Sequence, residues 1–80
     1  MLDLYVSETC PYCKKVTDYF DELGILYNKR SVSEPGNLNI LLKLGGKAQV
    51  PFLDDIENGI SMYESDDIIE YVKNRGQNVL

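Results

Sequence analysis

The sequence predicts an α/β domain: a four-stranded mixed sheet flanked by three helices, in the chain order β-α-β-α-β-β-α. Three observations carry this expectation. Leu2, Leu4 and Val6 alternate with Asp3 and Tyr5, the period of a strand. From Tyr12 to Leu23, apolar residues recur every three or four positions, the period of an amphipathic helix. Late in the chain, Asn58-Gly59 separates two apolar runs, a strong short-range signal for a β-hairpin. A strand, a helical crossover and a second strand make the first pair parallel, and the hairpin adds an antiparallel pair.

The elements follow in order. Ser7-Glu8-Thr9 is a polar loop after the first strand, and Pro11 stands at the first position of a helix over roughly residues 11–23, where a missing N–H is tolerated. Tyr12, Val16, Tyr19, Phe20 and Leu23 form its apolar stripe, and Gly24 suits the stop. Ile25 to Ser31 reads as the second strand. Ser33-Glu34-Pro35-Gly36 turns into a second helix lined by Leu38, Leu41, Leu42 and Gly45 and ended by Gly45-Gly46. Val50 to Ile56 and Ile60 to Tyr63 are the hairpin strands. Ser65 caps a third helix, with Asp66 and Asp67 at its electropositive end and Ile68, Ile69 and Val72 toward the core.

Eighty residues make a single domain, residues 1–80. A net charge of −5, from 13 acidic and 8 basic residues, weighs against nucleic acid and anionic membranes as partners. No apolar run is long enough to span a bilayer. Met1-Leu2-Asp3 opens directly into a strand pattern without the regions of a signal peptide, so a reducing, cytoplasmic location is expected, with the chain acting as a monomer. The chain has no histidine, the commonest metal ligand and general base.

The two cysteines form Cys10-Pro11-Tyr12-Cys13, at the junction between the first strand and the first helix. A C-x-x-C so placed reads as a thiol–disulfide exchange site on a thioredoxin-like scaffold. The thiolate is the nucleophile, and Cys10 sits at a helix start, where unpaired N–H groups and the helix dipole favour negative charge. Lys14 and Lys15 add positive charge nearby. Cys10 is therefore the attacking thiol. Cys13, one turn inside the helix and more buried, is the resolving thiol. A structural disulfide does not suit a chain without a secretory signal. A zinc site needs about four ligands, of which two cysteines supply half. No metal is expected.

Two further places invite a ligand. Pro51 opens a core strand about forty residues after the C-x-x-C. With a cis bond there, the backbone of Val50 is free to pair with an extended peptide beside Cys10; a trans proline at a strand start is the ordinary alternative. Ser65-Asp66-Asp67 reads either as a cap or as a carboxylate site at a helix N-terminus with an Asp for an adjacent ammonium, which suits an α-amino-acid head group. Lys47 is placed for a second carboxylate or is simply solvated. Tyr12 is either part of the core stripe or a ring exposed beside the thiol.

Together, Cys10-Pro11-Tyr12-Cys13, Val50-Pro51 before a strand, and Ser65-Asp66-Asp67 opening the last helix resemble a dithiol glutaredoxin over nearly the whole chain. The resemblance implies a thioredoxin-like (glutaredoxin) fold, a cis bond at Pro51, no tightly bound cofactor, and glutathione as reducing co-substrate. It further implies that Cys10 attacks glutathionylated or disulfide-containing proteins. Val50 would pair with the glutathione cysteinyl backbone, Asp66 N–H and the Asp67 carboxylate would hold the γ-glutamyl head, and Lys47 and Tyr12 would flank the glycine end. The chain departs from the glutaredoxin pattern at Ser7, where many members carry lysine, at Gln49 for threonine, and at Tyr63-Glu64 for Gly-Gly. Tyr63-Glu64-Ser65 through Tyr71-Val72 is also similar to the glutathione-binding half of glutathione transferases, which carry a helical second domain not contained in these eighty residues. Two alternatives keep the scaffold: electrons from thioredoxin reductase, or an iron–sulfur cluster carried between two chains through Cys10 and glutathione. Pro11 counts against the carrier.

Overall fold

Strand β1 (Leu2–Val6) lies inside the sheet, and this position organises the fold. The computed structural model describes residues 1–78 and has the expected element order. After β1 come α1 (Pro11–Glu22), β2 (Tyr27–Ser31), α2 (Pro35–Gly45), β3 (Phe52–Asp55), β4 (Ile60–Tyr63) and α3 (Ser65–Asn78). The strands lie in the order β2-β1-β3-β4. β1 runs parallel to β2, with Leu2 opposite Tyr27, and antiparallel to β3, with Leu4 opposite Leu53; β3 pairs antiparallel with β4. This is the thioredoxin-like α/β fold that the sequence predicted.

All five residues of β1 are buried. Both faces are covered. Leu2, Leu4 and Val6 pack with Val16 and Phe20 of α1 and Ile68 and Val72 of α3. Tyr5 points to the other layer, with Phe52 and Leu41 of α2. Asp3 is also buried, satisfied by Asn28 Nδ2 at 2.9 Å and by Arg30 at 3.5 Å. Burying a Leu, Val or Phe side chain is worth about 1.5–3 kcal/mol each, so these two layers dominate stability.

The elements are shorter than expected where pairing partners run out. β2 starts at Tyr27, because β1 begins at its partner Leu2. β3 starts at Phe52, since Pro51 has no N–H for a ladder. Three residues assigned to apolar stripes face outward instead. Tyr12 (65% exposed) and Leu23 (58%) lie at the two ends of α1, and Leu42 is exposed while its neighbour Leu41 is buried. The Val16–Phe20 centre of the α1 stripe does face the core. No helix among the described residues is long and apolar enough to cross a membrane.

Asp55 closes the far end of β3. It is fully buried, and its Oδ2 accepts from Tyr71 Oη at 2.5 Å and Asn58 Nδ2 at 2.8 Å, with Arg75 Nε 3.7 Å away. Burial alone would raise its pKa; the bonds from Tyr71 and Asn58 and the Arg75 charge outweigh burial and hold it below the ordinary carboxylate value. A depressed folded pKa contributes stability that is full above the unfolded value of about 4 and is lost as pH falls through the folded value. Asp55→Asn should therefore cost about 1–3 kcal/mol in urea unfolding at pH 7. The gap to wild type should narrow below pH of about 4. A gap that stays constant into acid would refute the charged role of Asp55.

Candidate active site

The short loop after β1 delivers Cys10 to the start of α1. The Cys10 N–H donates to Ser7 O at 3.2 Å, and Pro11 then opens the helix. Cys10 is the N-cap of α1: its backbone is extended, and its Sγ accepts the Cys13 N–H at 3.1 Å. A thiol thus takes the place usually held by a serine or aspartate oxygen. Negative charge developing on this sulfur meets an N–H already aimed at it.

The two thiols sit in different surroundings. Cys10 is half-buried and Cys13 is buried, and both are free. Burial, reinforced by the hydrogen bond and charge of Cys10, pushes the Cys13 thiol up to about 12, so Cys13 is protonated at neutral pH. Cys13 is the more buried of the two, as its place one turn inside the helix predicted.

The Val50–Pro51 peptide bond is cis. Cys10 Sγ lies 3.9 Å from the Val50 carbonyl oxygen, which joins the dithiol to the loop before β3. Beyond it opens a cavity of about 380 Å³, whose walls include Tyr12, Val50, Pro51, Ser65 and Asp66. Of the ligand-site residues named from sequence, these five come together. Tyr12 is the exposed ring, not the core residue. Lys47 and Asp67 are exposed and lie outside the cavity walls, with the Lys47 ammonium 4.8 Å from the centre of the Tyr63 ring. Both sulfurs also line a smaller groove of about 190 Å³ on the β2 side, floored by the end of β1.

The charges expected to assist Cys10 are already matched. Lys14 pairs with Asp18 one turn along at 2.6 Å, and Lys15 pairs with Asp66 across the gap between α1 and α3. Ser65, expected as a cap, is instead the first residue of α3 and buried; the Glu64 carbonyl accepts the Ile68 N–H at 3.0 Å.

Two cavity residues were not chosen from sequence. Gln49 and Glu64 line its rim, and Gln49 Nε2 donates to Glu64 Oε1 at 3.1 Å. Glu64 has φ of 69°, a left-handed conformation that costs a non-glycine residue about 1–3 kcal/mol. The signal was present in the departures: Gln49 replaces threonine, and Glu64 stands where the glutaredoxin pattern has glycine.

Comparison with known proteins places this geometry. The family described as Glutathione S-transferase, N-terminal domain, matches residues 4–78. Among solved structures, glutathione transferase Omega 3C from Trametes versicolor superposes with a TM-score of 0.83 at 28% identity, covering 95% of this chain and 32% of that one. The chain thus spans about a third of that transferase. A thioredoxin-like protein gives a TM-score of 0.78 at 19% identity, covering 92% of this chain and 97% of that one. A buckwheat glutaredoxin in complex with glutathione gives 0.70 at 23% identity, covering 91% and 68%. At these last two identities the likeness is one of fold. No curated protein sequence matches the chain closely.

The difference between the thiols has a direct readout. Brief iodoacetamide treatment of the reduced native protein at neutral pH should add one carbamidomethyl group, on Cys10, while urea-unfolded protein takes two. Equal labelling of Cys10 and Cys13 in the native state, located by peptide mass spectrometry, would refute the assignment.

Proposed function

The chain belongs to the glutathione S-transferase N-terminal domain family, and from that premise we propose that it is a glutathione-dependent thiol–disulfide oxidoreductase, acting through a Cys10/Cys13 dithiol in the manner of a dithiol glutaredoxin. The observation that carries this reading is the asymmetric pair at the head of α1. Cys10 Sγ, half-buried, takes the Cys13 N–H at 3.1 Å, while Cys13 is held protonated. The remaining support is the cavity beside it, whose Ser65 and Asp66 open α3.

The cycle needs no resident cofactor or metal. The Cys10 thiolate attacks one sulfur of a disulfide or of a glutathionylated protein, forming a new S–S bond and expelling the other sulfur as a thiolate, which takes up a proton. When the group on Cys10 is glutathionyl, a second glutathione thiolate attacks its sulfur, releasing glutathione disulfide and restoring Cys10. When it is a protein, Cys13 gives up its proton and attacks Cys10 Sγ, breaking the bond from Cys10 to the substrate sulfur; the substrate leaves as a thiolate that takes up a proton, and two glutathiones later reduce the Cys10–Cys13 disulfide, leaving as glutathione disulfide. The first of these routes consumes one thiol of this protein, the second consumes two.

The residues divide as follows. Cys10 and Cys13 carry the chemistry. Val50 pairs its backbone with the cysteinyl part of glutathione, and Pro51 shapes that edge. The free N–H groups at the start of α3, at Ser65 and Asp66, receive the γ-glutamyl carboxylate. Asp67 takes the ammonium, and Tyr12 and Lys47 flank the glycine end. A second reading keeps the dithiol and replaces glutathione by thioredoxin reductase as donor. It is favoured by the positions of Lys47 and Asp67, which stand outside the cavity walls.

A reductase-coupled assay on a mixed disulfide of glutathione and 2-mercaptoethanol separates the two. Turnover with glutathione and glutathione reductase, and none with thioredoxin reductase, is expected; the converse would establish the second reading. In the same assay Cys10→Ser should fall to the uncatalysed background, whereas Cys13→Ser keeps turnover because this route uses one sulfur. Retained activity in Cys10→Ser would overturn the roles given to the two thiols.

A further inference from the structure

Tyr63 ends β4, immediately before the turn that begins the ligand cavity. Its ring is fixed on the sheet: it lies opposite Phe52 in the β3–β4 register, with ring centroids 4.6 Å apart. Its hydroxyl reaches across to the loop between α2 and β3. There it donates to the Lys47 carbonyl oxygen at 2.9 Å and accepts the Lys47 N–H at 3.2 Å. One side-chain oxygen thereby satisfies both backbone groups of a single loop residue. The Lys47 ammonium folds back over the same ring, 4.8 Å from its centre.

The space for this contact is made by Gly45. A Cβ on that residue would sit 2.0 Å from the Tyr63 hydroxyl oxygen, so only glycine lets the last turn of α2 lie against the hydroxyl. Four residues after Gly45 comes Gln49-Val50-Pro51, one wall of the cavity. The opposite wall, Glu64-Ser65-Asp66, follows Tyr63 directly. The two walls are tied by the Gln49–Glu64 hydrogen bond at the rim and by the Tyr63–Lys47 contact below it.

We infer that Tyr63 is a positioning residue: its hydroxyl sets where the Lys47–Val50 loop stands relative to the start of α3, and so pre-forms the site for glutathione. The inference rests on the glutathione reading above and extends it to a side chain that does not itself line the cavity. Its consequence is kinetic. Pre-forming a loop lowers the ordering cost of binding, so loss of the hydroxyl weakens glutathione without altering the sulfur chemistry at Cys10.

Tyr63→Phe keeps the ring, its packing on Phe52 and its place under Lys47, and removes only the hydroxyl. With the mixed disulfide of glutathione and 2-mercaptoethanol and varied glutathione, KM for glutathione should rise about fivefold, the worth of one neutral hydrogen bond, with kcat kept. Gly45→Ala displaces the hydroxyl from the other side and should raise KM in the same way. Amide hydrogen exchange at Lys47, followed by NMR, should quicken in Tyr63→Phe while the β1 amides keep wild-type rates. A Tyr63→Phe protein with wild-type KM, or one in which kcat falls with the folded fraction and KM stays put, overturns the inference. If wild type itself ignores glutathione, the proposed function falls, and exchange at Lys47 then decides the clamp alone: wild-type protection in Tyr63→Phe would dispose of it.

Discussion

The burial of β1 on both faces is the constraint on which the rest depends. Five consecutive residues from Leu2 to Val6 are sealed between α1 and α3 on one side and α2 on the other, with β2 and β3 at the two edges. A strand held from four directions has no freedom to slip, because a one-residue shift would turn Leu2, Leu4 and Val6 onto the wrong layer. The chain leaves β1 at Val6 and enters α1 at Pro11. In that span the position of Cys10 is settled by the Ser7–Cys10 turn, the helix start and the carbonyl of Val50. The Cys10 sulfur is therefore placed by the strand that is buried on both faces, although it sits where a loop ends.

From that placement the two cysteines acquire different chemistry without a dedicated base. The chain has no histidine to take a proton. Helix geometry does the sorting instead. The residue at the N-cap faces outward with an N–H directed at its side chain, whereas the residue three positions on is carried to the inner side of the helix, against Val6, Val16 and Leu53. Exposure and a donor at one sulfur, and desolvation at the other, follow from a spacing of three on a helix that packs on a sheet. Pro11 belongs to this arrangement, since it occupies a first-turn position where no N–H is needed.

Much of this was legible in the sequence because it follows from local rules. Element order, the parallel and antiparallel pairs, and the deeper burial of Cys13 than of Cys10 come from periodicity, the Asn58-Gly59 turn and the helix start. What escaped depends on tertiary surroundings. The period of β1 marks a strand and leaves open that both its faces are covered; Asn28 and Arg30 from the neighbouring strand make the burial of Asp3 tolerable, and no local pattern encodes them. Tyr12 and Leu23 match the helical period but stand exposed at the two ends of α1. Lys14 and Lys15 were counted as free charge, and only the assembled helices reveal Asp18 and Asp66 as their partners. Family assignment divided in the same way. The motif around the cysteines resembles a glutaredoxin, while the match over residues 4–78 is to the transferase N-terminal domain, in line with the likeness already visible from Tyr63-Glu64-Ser65 onward.

Three of the departures from the glutaredoxin pattern, Gln49, Tyr63 and Glu64, are better understood as one connected unit than as separate losses. The turn before α3 requires a left-handed residue, which glycine supplies freely and Glu64 adopts at a cost of about 1–3 kcal/mol. A cost of that size persists only if surroundings hold the residue there. Gln49, itself a departure, donates to the Glu64 carboxylate, and Tyr63, the third departure, grips the loop that carries Gln49 through Lys47. Gln49 and Glu64 thus meet directly across the cavity, and Tyr63 reaches the same loop through Lys47. The pair of glycines that would make this turn flexible is replaced by side chains that fasten it to the opposite wall. The cavity that results is bordered by more hydrogen-bonding groups than a glycine turn could offer, and its two walls are tied at two points.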